Sequence, residues 1–120
     1  MKIGVLISGR GSNLQSLIDA QIAGNLSAEI VTVISNVPGV RGLEYAARKG
    51  IANTVINHKE FDDRDNFEEA LHKALIFAGV DFICLAGFMR ILGDDFVNQW
   101  TDRIINIHPS LLPSFKGLHT

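Results

Sequence analysis

Apolar positions along this chain alternate between short continuous runs and longer stretches of helical spacing. Lys2–Ser8 (KIGVLIS) is apolar without interruption from Ile3 to Ile7, the pattern of a central parallel strand covered on two sides. Gly9-Arg10-Gly11-Ser12 follows as a turn. The spacing then predicts a helix over Asn13–Gly24, with Leu14, Leu17, Ile18 and Ile22 stepping by three and four. Glu29–Ser35 (EIVTVIS) reads as a β-branched strand, broken by Asn36-Val37-Pro38-Gly39. Gly42–Lys49 suits a short helix closed by Gly50, and Asn53–Asn57 a third, weaker strand. The longest predicted helix opens at Asp62 or Asp63, either placed to cap it, and runs to Ala78 before Gly79. Its apolar stripe is Phe67, Leu71, Leu75 and Ala78. A fourth strand is expected over Asp81–Phe88, a short helix over Asp94–Thr101 with Phe96, Val97 and Trp100 inward, and a fifth strand over Arg103–His108 (RIINIH). The remainder, from Pro109 on, is irregular and carries Pro and Gly.

Strands alternating with helices imply βαβ units. The expected fold class is α/β: a Rossmann-like, doubly wound, mostly parallel sheet of five strands in the order 3-2-1-4-5, with helices on both faces. Such a sheet has a topological switch point between its first and fourth strands, and ligands bind there at the carboxyl ends. Chemistry is therefore expected in three loops: Gly9–Asn13, Gly87–Leu92 and His108 onward.

Composition narrows the class. The 120 residues are 47% hydrophobic and 20% charged, enough for one domain with a full core and unlike a disordered chain. Eleven basic against thirteen acidic residues leave a net charge of −2, which removes the electrostatic footprint of a general nucleic-acid binder. Cys84 is the lone cysteine and has no internal disulfide partner, which fits a reducing compartment. The apolar run Ile3–Ile7 is too short for a signal sequence, and no stretch approaches a membrane span. A cytoplasmic protein with no membrane partner is expected.

Of the three loops, Ser8-Gly9-Arg10-Gly11-Ser12-Asn13-Leu14 is a strand passing through a glycine-rich turn into a helix. That arrangement aims several backbone N–H groups at one point and suits a phosphate. No Gly-Lys-Ser/Thr follows, so it is not a Walker A loop. Leu14 stands where a dinucleotide fingerprint needs its third glycine, and Ser35-Asn36 offers no acid for a ribose, so a single terminal phosphate fits better. The plainer alternative is a tight turn with Ser12 or Asn13 capping the helix.

Asn106-Ile107-His108 ends the fifth strand. Side chains two apart on a strand share a face, about 7 Å apart at their α-carbons. Asn106 and His108 then form a carboxamide and imidazole pair able to stabilise an oxyanion and move a proton in acyl transfer. A strand-end cap with His108 bonded to backbone is the competing reading. Leu85-Ala86-Gly87-Phe88-Met89-Arg90-Ile91-Leu92 has the composition to wall a flat ring system, though taken alone it reads as core. Cys84 reads as an inert core thiol, and the acidic run Asp62–Glu69 as a solvated helix start. His58, His72 and His119 lack metal-ligand spacing, so no metal is expected.

Taken together, Ile7–Leu14, Leu85–Leu92 and Asn106-Ile107-His108-Pro109-Ser110-Leu111-Leu112-Pro113 resemble the phosphoribosylglycinamide formyltransferase family over all 120 residues. The likeness extends to Ser35-Asn36 and to Phe61–Arg64. It implies a folate-dependent enzyme of purine biosynthesis that moves a formyl group from 10-formyltetrahydrofolate to the amine of glycinamide ribonucleotide. It further implies that Gly11, Ser12 and Asn13 hold the ribonucleotide phosphate. Met89, Arg90, Ile91 and Leu92 would line the pterin site, with Asn106 also touching the folate and Arg64 near its tail. Asn106 and His108 match the catalytic pair, and Leu112-Pro113 matches a bond the family keeps cis.

The sequence departs from the family in one respect. Members carry a catalytic aspartate well beyond the His-Pro motif, whereas no acid follows Asp102 here. Residues 1–120 are accordingly expected to be the N-terminal portion of a formyltransferase domain, with a folded but inactive fragment as one alternative. Ile104, Ile105 and Ile107 ask for burial, and the outer edge of their strand is left open to association. Alternatives of the same fold are a methionyl-tRNA formyltransferase or a formyltetrahydrofolate hydrolase. The Gly11-Ser12-Asn13-Leu14 loop favours the ribonucleotide, and the acidic balance counts against tRNA. A non-catalytic, flavodoxin-like mononucleotide module is the alternative from another class.

Overall fold

Residues 1–107 are described by the structure, a computed structural model. His108 and everything after it, including the Leu112-Pro113 bond, lie outside the described residues. The strands are β1 (Lys2–Ile7), β2 (Glu29–Ser35), β3 (Asn53–Val55), β4 (Phe82–Leu85) and β5 (Ile104–Asn106). The helices are α1 (Ser12–Ile22), α2 (Arg41–Arg48), α3 (Arg64–Phe77) and α4 (Asp94–Gln99), with a 3-10 turn at His58–Glu60. All neighbouring strands pair in parallel, in the order β3-β2-β1-β4-β5, as the alternation of strands and helices predicts.

Two apolar layers follow from the pleat of β1. Ile3, Val5 and Ile7 face one side and pack with Leu14, Leu17 and Ile18 of α1 and with Leu43 and Ala46 of α2. Leu6 faces the other side and packs with Phe67, Leu71 and Leu75 of α3 and with Phe96 and Trp100 at α4. Helices thus cover both faces, and the hydrophobic run in β1 is explained by burial on each. The β1–β2 register shifts between Ile3 and Gly4, which lets Ile30 and Val33, three apart, reach the same layer.

Several boundaries are tighter than the apolar pattern suggests. β4 stops at Leu85, because Gly87 at φ +74° turns the chain away from the sheet. β3 stops at Val55, and Asn57 instead accepts a hydrogen bond from the Lys59 N–H to cap the 3-10 turn. Asp63, one of the two predicted caps, accepts from the Asn66 N–H at 2.8 Å and starts α3. Ile22, the last residue of α1, is exposed, and so is Val97 of α4, so the expected inward placement of Val97 fails.

Candidate functional site

The carboxyl ends of β1, β4 and β5 lie side by side at the switch point, so the three loops expected to carry chemistry emerge together. The first opens α1. Gly11 is its N-cap, in the left-handed region at φ +75°, and no side-chain hydrogen bond caps the helix. Neither Ser12 nor Asn13 does so, which removes the plain capped-turn reading. Gln15 donates to the Gly11 carbonyl at 2.7 Å, and the first turn contains no acid. An uncapped 11-residue helix keeps orphan N–H groups and a positive dipole end for an anion. A cleft of about 150 Å³ lies there, lined by Gly9, Arg10, Gly11, Ser12, Asn13, Ala86 and Gly87. Clefts of about 370 and 430 Å³ lie along the charged side of α3, and one of about 500 Å³ on α2 is lined by Glu44, Ala47 and Arg48.

Behind this loop stands the start of α2. The Gly42 N–H donates to the Gly9 carbonyl at 3.3 Å. A Cβ on Gly11 would meet the Gly42 Cα at 2.8 Å, and one on Gly42 would meet the Ile7 Cδ1 at 2.5 Å. Two backbones therefore touch here, and side chains are excluded from both. Gly42 is a residue the sequence pattern missed, since a glycine at a helix start carries no signal of what packs against it.

Asn13 reaches across to the fifth strand, where its Nδ2 donates to the Ile107 carbonyl at 3.3 Å. β5 brings Asn106 opposite Leu85, and Asn106 is exposed at the strand end while Ile107 is buried behind it. The phosphate-type loop and the Asn106 end of β5 are thereby joined. His108, the other member of the expected pair, is outside the described residues.

The β4–α4 loop corrects its reading as core. Met89 and Ile91 are 79% and 85% exposed, with Arg90 exposed between them. Phe88 and Leu92 pack against the α3 layer and turn the other residues outward. Arg64, the first residue of α3, comes to the same place: its guanidinium lies 3.8 Å from Glu68, whose other contact is the Gly93 N–H at 2.9 Å. Glu68 is buried, so the run Asp62–Glu69 is not wholly a solvated face. An i, i+4 Arg–Glu pair at the opening of α3 was its one sequence signal.

A second set of polar side chains ties the strand ends together. The Met89 N–H donates to Ser8 Oγ at 2.8 Å, and the Ser8 hydroxyl donates to Asn36 Oδ1. His58 Nδ1 lies 3.1 Å from Asn36 Nδ2 and 3.3 Å from the Asn36 carbonyl, which ties the ring to Asn36 at both its side chain and its backbone. Ser8 and Asn36 are buried, and polar groups there require such partners. Cys84 is buried in β4, and desolvation pushes its thiol up to about 11, as an inert core thiol requires. Among the described residues no three His, Cys, Asp or Glu side chains gather to hold a metal. No described helix is long and apolar enough to cross a membrane.

Comparison with known proteins identifies the family and the fold. A family model described as formyl transferase matches residues 1–120. The chain is 58% identical over 120 residues to the trifunctional purine biosynthetic protein adenosine-3 of Drosophila pseudoobscura pseudoobscura, covering 98% of this chain and 9% of that protein. It is 44% identical over 120 residues to the phosphoribosylglycinamide formyltransferase of Escherichia coli (strain K12), covering 100% of this chain and 57% of that one. The crystal structure of glycinamide ribonucleotide transformylase 1 from Symbiobacterium toebii superposes with a TM-score of 0.86 at 42% identity, over 98% of this chain and 56% of that one. The chain spans about half the length of these single-activity relatives and about a tenth of the trifunctional one.

Proposed function

The chain belongs to the formyl transferase family, and on that premise we propose that it takes part in transfer of a formyl group from 10-formyltetrahydrofolate to the amine of glycinamide ribonucleotide, in cytoplasmic purine biosynthesis. One observation carries the reading. Asn13 binds the Ile107 carbonyl, so the uncapped end of α1 and the Asn106 end of β5 form one surface. A phosphate held by the N–H groups of Gly11, Ser12 and Asn13 anchors one end of the ribonucleotide and sends its amine toward Asn106. Exposed Met89 and Ile91, with Leu92 behind them, offer apolar area to a flat pterin ring, and Arg64 and Arg90 offer charge to the donor's carboxylates.

In the proposed step the amine nitrogen attacks the formyl carbon. The new nitrogen–carbon bond forms as the bond from that carbon to N10 of the folate breaks, and the amine's proton passes to N10. Asn106 donates from its carboxamide to the formyl oxygen as charge builds there, and His108 carries the proton. The amine is already a competent nucleophile, so no Ser or Cys nucleophile is called for. Cys84 is buried and takes no part.

Formyl transfer measured on the native full-length protein against glycinamide ribonucleotide, methionyl-tRNA and water tests the assignment. The ribonucleotide is the expected acceptor. In the His108→Ala variant turnover should fall by at least about a hundredfold, the scale of general acid–base catalysis, with ribonucleotide binding nearly unchanged. Near-normal turnover in that variant, or preference for another acceptor, overturns the reading.

A further inference from the structure

Resting on the formyl-transfer reading, we propose that Ser8 and Glu68 are positioning residues that pin the two ends of the Met89–Gly93 loop and so fix the wall offered to the donor's ring. The Met89 N–H is held by Ser8 Oγ at 2.8 Å, and the Gly93 N–H by Glu68 Oε2 at 2.9 Å. Among the described residues, residues 87–92 make no backbone–backbone hydrogen bond. The loop's course between the two anchors is therefore set by side chains that lie far from it in sequence, and not by its own ladder.

Both anchors are themselves fixed. Ser8 follows β1 directly and is 9% exposed, and its hydroxyl proton is committed to Asn36. Asn36 in turn is oriented by His58, so one hydrogen-bonded chain crosses the sheet end from the segment after β3, through those after β2 and β1, to the loop after β4. Glu68 is 6% exposed on α3, next to Phe67 in the core, and lies one turn from Arg64. Carboxylate oxygen Oε2 serves both the Gly93 N–H and the Arg64 guanidinium, so the loop and the arginine share one support. Met89, Arg90 and Ile91 reach solvent between these pinned ends. A side chain aimed outward at a ligand gains affinity from such support because its position is settled before the ligand arrives.

The test compares Ser8→Ala and Glu68→Ala with the conservative Ser8→Thr and Glu68→Gln in the native full-length protein. Ser8→Ala removes the bond from the Met89 N–H and the bond to Asn36, and Glu68→Ala the bond from the Gly93 N–H and the Arg64 ion pair. In each the KM for 10-formyltetrahydrofolate should therefore rise about tenfold or more while the KM for ribonucleotide stays within about twofold. Threonine and glutamine keep an acceptor for the Met89 and Gly93 N–H groups and should recover most of the loss. Amide exchange in the unsubstituted protein adds a readout independent of how the variants fold: Met89 and Gly93 should be protected, and residues 90–92 should exchange fast. Equal rises in both KM values, no rescue, or unprotected Met89 and Gly93 amides would show these residues to be merely structural and overturn the proposal. An unsubstituted protein that neither binds nor uses the folate would overturn the functional reading, and this proposal with it. Normal transfer by that protein, with unaltered variants, overturns this proposal alone.

Discussion

Asn13 and Ile107 stand 94 residues apart in the chain and are joined by one hydrogen bond, from the carboxamide of Asn13 to the carbonyl of Ile107, at 3.3 Å. The bond links the first turn of α1 to the end of β5, and so links the place where a phosphate would sit to the place where Asn106 emerges. On the proposed function, binding at one end of the ribonucleotide would be converted into position at the other, which is where enzymes gain much of their rate.

Replacing Asn13 separates those two effects. Asn13→Ala should lower kcat severalfold while the KM for ribonucleotide changes little, because the side-chain tie to β5 is lost and the backbone N–H offered to the phosphate is kept. Asn13→Asp should be worse: a carboxylate repels both the phosphate and the Ile107 carbonyl, for a loss of about tenfold or more in affinity. Steady-state kinetics at saturating folate measure both. Unchanged ribonucleotide affinity in Asn13→Asp would remove the phosphate from this loop.

The contact between Gly11 and Gly42 makes a second prediction. An added Cβ at Gly11 meets backbone at 2.8 Å and sits at φ +75°, so nothing flexible can yield. Gly11→Ala should cost about 1–2 kcal/mol in backbone strain alone, and the displaced loop should bind ribonucleotide poorly. Gly39 has a similar φ of +70° but open space around it, so Gly39→Ala should cost stability without weakening the ribonucleotide. Chemical denaturation and ribonucleotide titration on the two variants separate strain from collision.

The parts of this molecule that could be read from sequence are those in which a local pattern carries the cause. The five-strand order, the β1 run buried on both faces and the glycine turn into α1 all follow from hydrophobic period and turn chemistry. Asn106 was placed at a strand end by the same reasoning, and the structure puts it there. Long-range polar pairing was not legible. Glu68 sits in an acidic run that looks solvated, and only the approach of Gly93 shows that it is buried and bonded. Ser8, Asn36 and His58 each have an ordinary local reading, yet together they make one chain across the sheet end. The exposure of Met89 and Ile91 was hidden for the opposite reason, since apolar residues after a buried strand resemble more core until the turn at Gly87 is known.

Cys84 gives a pH dependence whose sign is fixed by burial. Desolvation raises its folded-state pKa from 9.0 to about 11, so as pH rises through 9 the unfolded chain loses this proton first. The unfolded state then binds fewer protons than the folded one, and stability falls across pH 9 to 11, by an upper limit of about 2–3 kcal/mol for a shift of this size. Tyr45 is a confounding group, because its hydrogen bond to Asp19 raises its pKa as well. Comparing the protein with Cys84→Ala isolates the cysteine: the difference in unfolding free energy between the two should be flat below pH 8 and should shrink above pH 9. The same burial predicts that a thiol reagent labels Cys84 at neutral pH only under denaturing conditions. A parallel pH profile for the two proteins, or rapid labelling of the native chain, would show that the thiol is not shielded within the sheet.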